Sequence, residues 1–273
     1  MYYIGADIGG TTIKLVAADE NGRELGCSKQ ENRRDISVIE SFIKTSIPAS
    51  ETEDITLCAT GIGSGLVSSL DTGRRIVYNE FECIAAASRK MTGLDRLIAV
   101  SMGTGTAFVI VDKDSYEYIG GTGVGGGTFM GLCERFTGIS DYEELNILAH
   151  KGDTRRIDLT VGDISNGTTE GIDPDITASN FGKRPRSDKG CDLAAASATL
   201  IYEAAGVMAA FACRSTDIKN VVFVGSFASS LSAERILSAV GKIHGLRYII
   251  PENAVYAAAM GAVLLGRREG RQP

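Results

Sequence analysis

The chain has 273 residues, of which 44% are hydrophobic and 23% are charged, a composition typical of a globular protein with a large core. Its formal net charge of −6 gives no electrostatic reason to expect binding to nucleic acid or to an anionic membrane. The opening residues MYYIGADIGG lack the pattern of a signal peptide. We expect no spanning helix, because no apolar run approaches the ~18 residues that a span needs. We therefore predict neither a nucleic-acid partner nor a membrane partner.

The cysteines favour a reducing compartment. Six cysteines and two histidines are present, and no C-x-x-C pair occurs, which argues against a Cys/His zinc site. Isolated cysteines beside Leu, Ala and Phe usually behave as small core residues. We therefore predict a reduced, cytoplasmic protein.

The first part of the chain alternates apolar segments with Gly-rich or polar breaks. Strands are predicted at Tyr2–Ala6, Thr12–Ala18 and Arg23–Lys29, with a hairpin turn at Glu20-Asn21-Gly22. Apolar residues at helical spacing follow Asp35, a suitable N-cap. The segment ITLCATGIGSGL is typical of a buried strand that enters a Gly-rich loop.

The same layout then returns. Leu97–Ser101 is an apolar strand, Gly103–Thr106 breaks it, and Ala107–Val111 and Tyr116–Ile119 follow as further strands. A helix is predicted after GGTGVGGGTFMGLCERF, and residues 151–190 are polar, as in an exposed connection with short elements. Apolar helices at 193–213 and in YAAAMGAVLLG, an amphipathic helix in SAERILSAVGKI and a buried strand in NVVFVGSF complete an α/β pattern. We predict two related halves that meet at a cleft.

The two Gly/Thr breaks have two possible functions. Glycine lets backbone N–H groups approach a ligand oxygen closely, and threonine adds hydroxyl donors. Two such turns facing each other would enclose a triphosphate, with Asp7 on Mg²⁺ and Lys14 offsetting phosphate charge. Alternatively, both turns simply close hairpins. At the level of local sequence both interpretations stay open.

Other motifs are weaker. GTGVGG matches G-x-G-x-x-G at Gly121, Gly123 and Gly126, a pattern of dinucleotide binding, but it follows a hairpin series and not the first strand of a βαβ unit. Neither a G-x-x-x-x-G-K-[ST] loop nor a G-x-S-x-G elbow occurs. A nicotinamide-dependent dehydrogenase therefore rests on a single glycine pattern.

ADIGGTTIK resembles the first phosphate motif of the superfamily of actin, sugar kinases and heat-shock chaperones. NEFECIAAA, VSMGTGTAF, GGTGVGGGTFMGLCERFTGISDYEEL, HKGDTRRIDLTVGDI, TASNFGK and VVFVGSF are similar, in this order, to type II pantothenate kinases. The resemblance covers nearly the whole chain, and GGGTFMGLC with the following KGD…VGDI segment is its most specific part. It implies the actin-like fold of two ribonuclease H-like lobes, here residues 1–93 and 94–273, the second with helical dimerisation elements.

The resemblance also implies an activity: a homodimer that uses MgATP to phosphorylate pantothenate, the first step toward coenzyme A. Glu80 matches the catalytic base, Thr104 a residue where the nucleotide and pantothenate sites join, and Asp7 the metal-binding residue. The nucleotide-binding positions are Gly9, Gly10, Thr11, Thr12, Ile13, Lys14, Leu15, Val16, Thr104, Gly126, Gly127, Thr128, Phe129, Met130, Tyr142 and Ser226. Glu80, Thr104 and Tyr118 fall at substrate-binding positions.

Glu80 also has a physical argument in its favour. It lies beside Phe81 after an apolar segment, a setting that raises the pKa of a carboxyl group toward that of a useful base. Glu82 competes with it, because the two would share a face if the stretch were extended. A solvated pair of glutamates is the other interpretation; the family match favours Glu80.

Tyr118 departs from the family pattern, which has an arginine that helps to bind pantothenate. Tyrosine donates one hydrogen bond but carries no cation. Either Tyr118 is only a good strand residue, or the acceptor differs, as in a kinase of pantetheine or another pantoyl compound. A nucleotide-binding regulatory protein without transfer activity is the further alternative.

Overall fold

A computed structural model describes residues 1–48, 54–70, 73–165, 173–184 and 189–270 of the chain. These residues form two five-stranded sheets and a two-stranded ribbon. Helices cover the sheets and also lie between them. Both sheets repeat a single strand order, and this repetition brings the two Gly/Thr loops together.

The first sheet is built from the N-terminal residues in the order β3-β2-β1-β4-β5. Its first three strands are antiparallel, whereas β4 and β5 run parallel to β1. The predicted hairpin turn after Asp19 is present, because the amide of Asp19 donates to Arg23 O and its carboxylate accepts from two turn amides. The strands are β1 Tyr2–Ile8, β2 Thr12–Asp19, β3 Glu24–Glu31, β4 Ile55–Thr60 and β5 Arg74–Val77.

The second sheet has the equivalent order β12-β11-β6-β7-β8. Its first three strands are again antiparallel, and β11 and β12 run parallel to β6. The repeated layout that the sequence predicted is therefore confirmed. The strands are β6 Arg96–Met102, β7 Thr106–Asp112, β8 Ser115–Thr122, β11 Asn220–Val224 and β12 Arg247–Ile249, and a short ribbon pairs β9 Leu159–Thr160 with β10 Thr177–Ser179.

Eight α-helices lie in the described part of the chain, with short 3₁₀ turns at Ser64–Ser69, Thr154–Arg156 and Ala254–Tyr256. Helix α1 covers the first sheet. Helices α3, α4, α6 and α7 pack against the second sheet, and the apolar cluster between them is called the second core. The helices are α1 Ser37–Ser46, α2 Glu80–Thr92, α3 Gly126–Thr137, α4 Tyr142–Lys151, α5 Val161–Ile164, α6 Gly190–Arg214, α7 Ala233–His244 and α8 Ala257–Glu269.

Three local expectations need correction. Helix α1 begins at Ser37, and its N-cap is Ile36 and not the predicted Asp35. Asp35 lies one residue before the cap, and its side chain accepts a hydrogen bond from the Ser37 amide. The polar stretch 151–190 buries Ile157 and Asp158, while its residues 166–172 and 185–188 lie outside the described residues. Helix α6 is long and apolar enough to span a membrane, contrary to expectation, but 67% of its apolar window is buried within the protein.

Helices α2 and α8 join the two halves, because each packs against the sheet of the opposite half. Helix α2 follows the first sheet but packs against β6, β7 and β8, whereas α8 follows the second sheet and packs against β1, β2 and β4. The two helices also pack closely on each other. Each half thus completes the core of the other, and the division of the chain at residue 93 stays a prediction.

Glycines allow this close packing. A Cβ atom added at Gly261 in α8 would lie 1.9 Å from the carbonyl oxygen of Cys83 in α2. A Cβ at Gly5 in β1 would lie 2.0 Å from the carbonyl oxygen of Ala259 in α8. Both obstacles are backbone atoms, which cannot move aside as a flexible side chain can. The separation of α8 from its neighbours therefore requires these glycines.

We predict that Gly261→Ala lowers the free energy of unfolding by ~2–4 kcal/mol because it forces α2 and α8 apart. Glycine to alanine inside a helix otherwise stabilises by up to ~1 kcal/mol. Gly131→Ala in α3 is the matched control, since its Cβ would meet only the flexible end of Arg135, at 3.2 Å. Urea denaturation of both variants measures the difference; equal stability would contradict the packing argument.

Candidate active site

A cleft of about 1240 Å³ lies between the two sheets and is lined by residues of both. Its floor comes from the carboxyl ends of β1 and β6 and from the loops that follow them. Helix α2 and the start of α8 contribute one wall, and α3, α4 and the segment after β11 contribute another. Most of the residues that the sequence singled out line this cleft.

The two Gly/Thr loops meet across the cleft. The loop after β1 carries Thr11 and the loop after β6 carries Thr104, and their Oγ1 atoms lie 3.3 Å apart. Both loops also close antiparallel hairpins, β1–β2 and β6–β7. The hairpin interpretation is therefore correct as geometry. The facing threonines show that the loops also form one continuous surface of the cleft.

The loop glycines fall into two groups. A Cβ added at Gly105, Gly126 or Gly127 would come within 3 Å of backbone or side-chain atoms, so packing requires glycine there. A Cβ added at Gly10 or Gly103 would meet no atom within 4 Å, and neither residue has a positive φ. Neither packing nor conformation demands glycine at these two positions. The space beside Gly10 and Gly103 therefore belongs to the cleft.

Asp7 and Lys14 form a buried ion pair at the floor. The two residues are register partners on β1 and β2, and Lys14 Nζ lies 2.8 Å from Asp7 Oδ2. Gly61, with a φ of +86°, packs closely against this pair, because a Cβ there would lie 2.7 Å from the carbonyl oxygen of Ile8 and 2.9 Å from Asp7 Oδ1. Asp7 thus lines the cleft with Oδ2 held by Lys14 and Oδ1 on the side of Gly61.

Glu80 lies at the first position of α2 and lines the cleft. The side chain of Asn79 caps this helix by accepting hydrogen bonds from the amides of Phe81 and Glu82. Burial raises the pKa of the Glu80 carboxyl, the charge of Asp7 raises it further, and Lys14 opposes both effects. Because the stretch is helical and not extended, Glu82 points elsewhere and is not among the cleft residues.

Tyr118 lines the cleft and contacts Phe81, the residue after Glu80. Its ring stacks on Phe81, with centroids 4.2 Å apart and planes 10° from parallel. Its hydroxyl lies over Gly121, where a Cβ would approach it to 3.0 Å. The departure from the family pattern is therefore located inside the cleft and not on a remote strand face.

Tyr142 and Ser226 line the far end of the cleft. The Tyr142 hydroxyl donates to the carbonyl oxygen of Ser226, with 3.3 Å between the oxygen atoms. The Ser226 hydroxyl is buried and has no hydrogen-bond partner among the residues that the structure describes. Lys29, on β3, places its Nζ 5.0 Å from the centroid of the Tyr142 ring, a cation–π contact.

Some predicted residues do not line the cleft. The side chains of Ile13, Leu15 and Val16 are buried beneath the first loop, and that of Phe129 lies in the second core. The Thr128 hydroxyl donates to Gly123 O and accepts from the Gly125 amide, so it stabilises the start of α3. Gly126 and Gly127 do line the cleft, but their amides are engaged within the protein, because they donate to the carbonyl oxygens of Gly103 and Thr104.

The G-x-G-x-x-G match has the wrong setting for dinucleotide binding. Gly121 lies on β8, which pairs with β7 in antiparallel orientation, and α3 begins at Gly126. The glycine pattern therefore joins an antiparallel strand to a helix and not the first strand of a βαβ unit. The structure gives the dehydrogenase interpretation no support.

Several cleft residues were missed from the sequence, and Lys29 is the most important of them. Ile62, which is 89% exposed, and the pair Ala257 and Ala258 at the start of α8 also line the cleft. Exposed apolar residues on a Gly-rich loop give no signal of their own in a single sequence. Lys29 has a detectable signal only when the register of β3 against β2 is known.

Solved structures with the same architecture show the fold of the chain. The activator of 2-hydroxyisocaproyl-CoA dehydratase from Clostridium difficile, with bound ADPNP, matches with a TM-score of 0.69 and 17% identity, covering 99% of this chain and 96% of that one. A ROK family glucokinase from Streptomyces griseus, in complex with glucose and AMPPNP, matches with a TM-score of 0.63 and 15% identity over 98% and 100%. The chain therefore has the actin-like ATPase fold.

Sequence relatives narrow the class to a family. The family model described as Fumble matches residues 77–263. A type II pantothenate kinase of Bacillus cereus (strain G9842) is 30% identical over 272 residues, covering 96% of this chain and 97% of the relative. A type II pantothenate kinase of Staphylococcus aureus (strain MRSA252) is 29% identical and covers 97% and 99%. The chain belongs to the type II pantothenate kinase family.

Proposed function

We propose that the protein transfers the γ-phosphoryl group of ATP to the primary hydroxyl of pantothenate. The observation that carries this proposal is the cleft in which Thr11 and Thr104 face each other, with Glu80 on its wall. The space beside the Cα atoms of Gly10 and Gly103 is not filled by the described residues. Backbone amides beside such unfilled space can approach the oxygen atoms of a polyphosphate closely. Membership of the type II pantothenate kinase family supports pantothenate as the acceptor.

Asp7 is the residue that would hold Mg²⁺. One carboxylate, with further ligands from water and phosphate oxygens, is a donor set that Mg²⁺ prefers. Asp7 lines the cleft near the carboxyl end of β1, just before the first Gly/Thr loop, and this position fits the assignment. When bound with the nucleotide, Mg²⁺ offsets charge on the phosphate oxygens. Lys14, held by Asp7, adds a fixed positive charge at the same end of the cleft.

Glu80 acts as the base in this proposal. The acceptor oxygen attacks the γ-phosphorus, the bond from phosphorus to the β–γ bridging oxygen breaks, and the hydroxyl proton passes to the Glu80 carboxylate. ADP and the phosphate ester are the products. A raised pKa strengthens Glu80 as a proton acceptor. The stacked rings of Phe81 and Tyr118 give the acceptor a flat apolar surface beside the base.

The remaining residues assist nucleotide binding in the proposal. Thr104 joins the phosphate and acceptor regions, and the segment from Gly126 to Met130 forms the helix start behind the second loop. Tyr142 and Ser226, which both line the cleft, contact the nucleoside part. Ile13, Leu15, Val16 and Phe129 support the loops from the core.

We also infer a cytoplasmic homodimer, in line with the sequence-based expectation. Met208 and Phe211 on α6 expose apolar side chains that a second copy would cover. The alternatives of a pantetheine kinase or a regulatory nucleotide-binding protein gain no support from the relatives, which are named type II pantothenate kinases.

Glu80→Gln is expected to lower kcat by ~10²–10⁴-fold, the range for a positioned general base. Affinity for MgATP should stay unchanged, because the base contacts the acceptor and not the nucleotide. A coupled assay of pantothenate-dependent ADP formation, with titration calorimetry for MgATP, measures both. The matched variant Glu82→Gln should be fully active, and near-normal turnover of Glu80→Gln would remove Glu80 from the mechanism.

The pH profile should show the raised pKa of Glu80. The base must be ionised, so activity is lost as the pH falls through its pKa, which burial and Asp7 place above the ordinary glutamate value of ~4.3. The acid limb of kcat/KM for pantothenate should therefore lie above that value and be absent from the residual activity of Glu80→Gln. Circular dichroism over the same range checks folding; a limb at or below ~4.3 would contradict the assignment.

Gly10→Ala should separate ligand binding from folding. Its methyl group meets no protein atom within 4 Å, so the melting temperature should not change, while the Kd for MgATP rises by about 10-fold or more because the phosphates lose space. Gly65→Ala is the control, since its Cβ also meets nothing within 4 Å and lies outside the cleft. Unchanged MgATP affinity in Gly10→Ala would place the polyphosphate elsewhere.

A further inference from the structure

Asp7, Lys14 and Lys29 form a row across three strands of the first sheet. Asp7 pairs with Lys14 between β1 and β2, and Lys14 pairs with Lys29 between β2 and β3. Register partners point to the same face of a sheet, and all three residues line the cleft. The row therefore runs along the cleft below the first loop.

Acidic groups flank this row at both ends. Burial raises the pKa of Glu80, the charge of Asp7 raises it further and that of Lys14 lowers it, so Glu80 lies at the Asp7 end of the row. Burial lowers the pKa of Lys29, the charge of Glu143 raises it and that of Lys14 lowers it, which places Glu143 at the opposite end of the row. The position where a phosphoryl group would be transferred is the Glu80 end. Lys29 lies one strand farther from the Glu80 end than Lys14 does. Neighbouring strands are about 5 Å apart.

The two lysines differ in their partners. Lys14 shares its charge with Asp7 in an ion pair, with Nζ 2.8 Å from Asp7 Oδ2. Lys29 forms no ion pair within 4 Å among the described residues, and its ammonium group instead lies over the ring of Tyr142. Burial lowers the pKa of Lys29, so its charge is incompletely compensated by the protein. Lys14 and Lys29 are also the only basic residues among the described residues that line the cleft.

We propose that Lys29 is a second phosphate-positioning residue, which binds the non-transferred phosphates of the nucleotide while Tyr142 holds its ammonium group in place. This inference rests on the proposed function. A triphosphate carries several negative charges that must be offset in the cleft. Lys29 offers a cation with no ion pair among the described residues, one strand beyond Lys14 in the row. Tyr142 belongs to the other half of the molecule, so the bound phosphates would also strengthen the contact between β3 and α4.

A simpler alternative is that Lys29 and Tyr142 only connect the two halves of the cleft. In that case the lysine would contribute equally to every ligand that needs the closed cleft, whether or not the ligand carries phosphate. A phosphate contact, in contrast, contributes only to ligands that have the phosphates. A series of nucleotides with decreasing numbers of phosphates separates the two possibilities.

The experiment is titration calorimetry of Lys29→Met, Lys29→Arg and the wild type with ATP, ADP and adenosine, in the presence of Mg²⁺. Loss of one hydrogen bond to a charged group corresponds to about 10–100-fold in Kd. We expect this loss for ATP and ADP in Lys29→Met, an unchanged Kd for adenosine, and recovery to within about threefold in Lys29→Arg. Lys44→Met on the exposed face of α1 is the matched control and should bind all three ligands normally.

Equal losses for ATP and adenosine, or an unchanged Kd for ATP, would overturn the proposal. If Lys29→Met does not fold, as judged by its melting curve, Lys29→Gln replaces it in the same series. Steady-state kinetics add a further test, because the KM for ATP should rise while the KM for pantothenate stays constant. Failure of the proposed function would appear separately, as a wild-type protein that binds ATP but forms no pantothenate-dependent ADP.

Discussion

The packing of α2 against α8 is the constraint on which the cleft depends. Each helix completes the core of the opposite half, and Gly261 brings α8 into van der Waals contact with the backbone of α2 at Cys83. Glu80 begins α2, so the contact that joins the halves also sets the position of the proposed base. The facing of Thr11 and Thr104 follows from the same arrangement, because equivalent loops of two repeated sheets are directed at one interior space.

The repeat itself could be predicted from sequence, because its signals are local. Alternating apolar segments, the turn after Asp19 and the Gly/Thr breaks each act within a few residues, and they fixed the strand layout of both halves. The packing of α2 and α8 against the sheets of the opposite halves could not be predicted, since nothing local in either helix states which sheet it will cover. The apolar length of α6 similarly does not reveal that neighbouring helices bury it.

The site was predicted where a motif marks it and missed where register decides it. Asp7, Lys14 and Glu80 lie in or beside recognisable motifs, and all three line the cleft. Lys29 depends on a bulge at Leu25: Ala18 pairs with Glu24, but Ala17 pairs with Gly26. Continuing the pairing without the bulge would place Lys29 on the opposite face of the sheet, because a slip of one residue reverses every side chain.

In the proposed complex the facing loops hold a polyphosphate, with Glu80 across from its end. A crystal structure of the complex with a non-hydrolysable ATP analogue, Mg²⁺ and pantothenate tests it most directly. We expect phosphates between Thr11 and Thr104 and the primary hydroxyl of pantothenate within ~3 Å of the Glu80 carboxylate. Phosphates bound outside the two loops, or an acceptor hydroxyl directed away from Glu80, would contradict it.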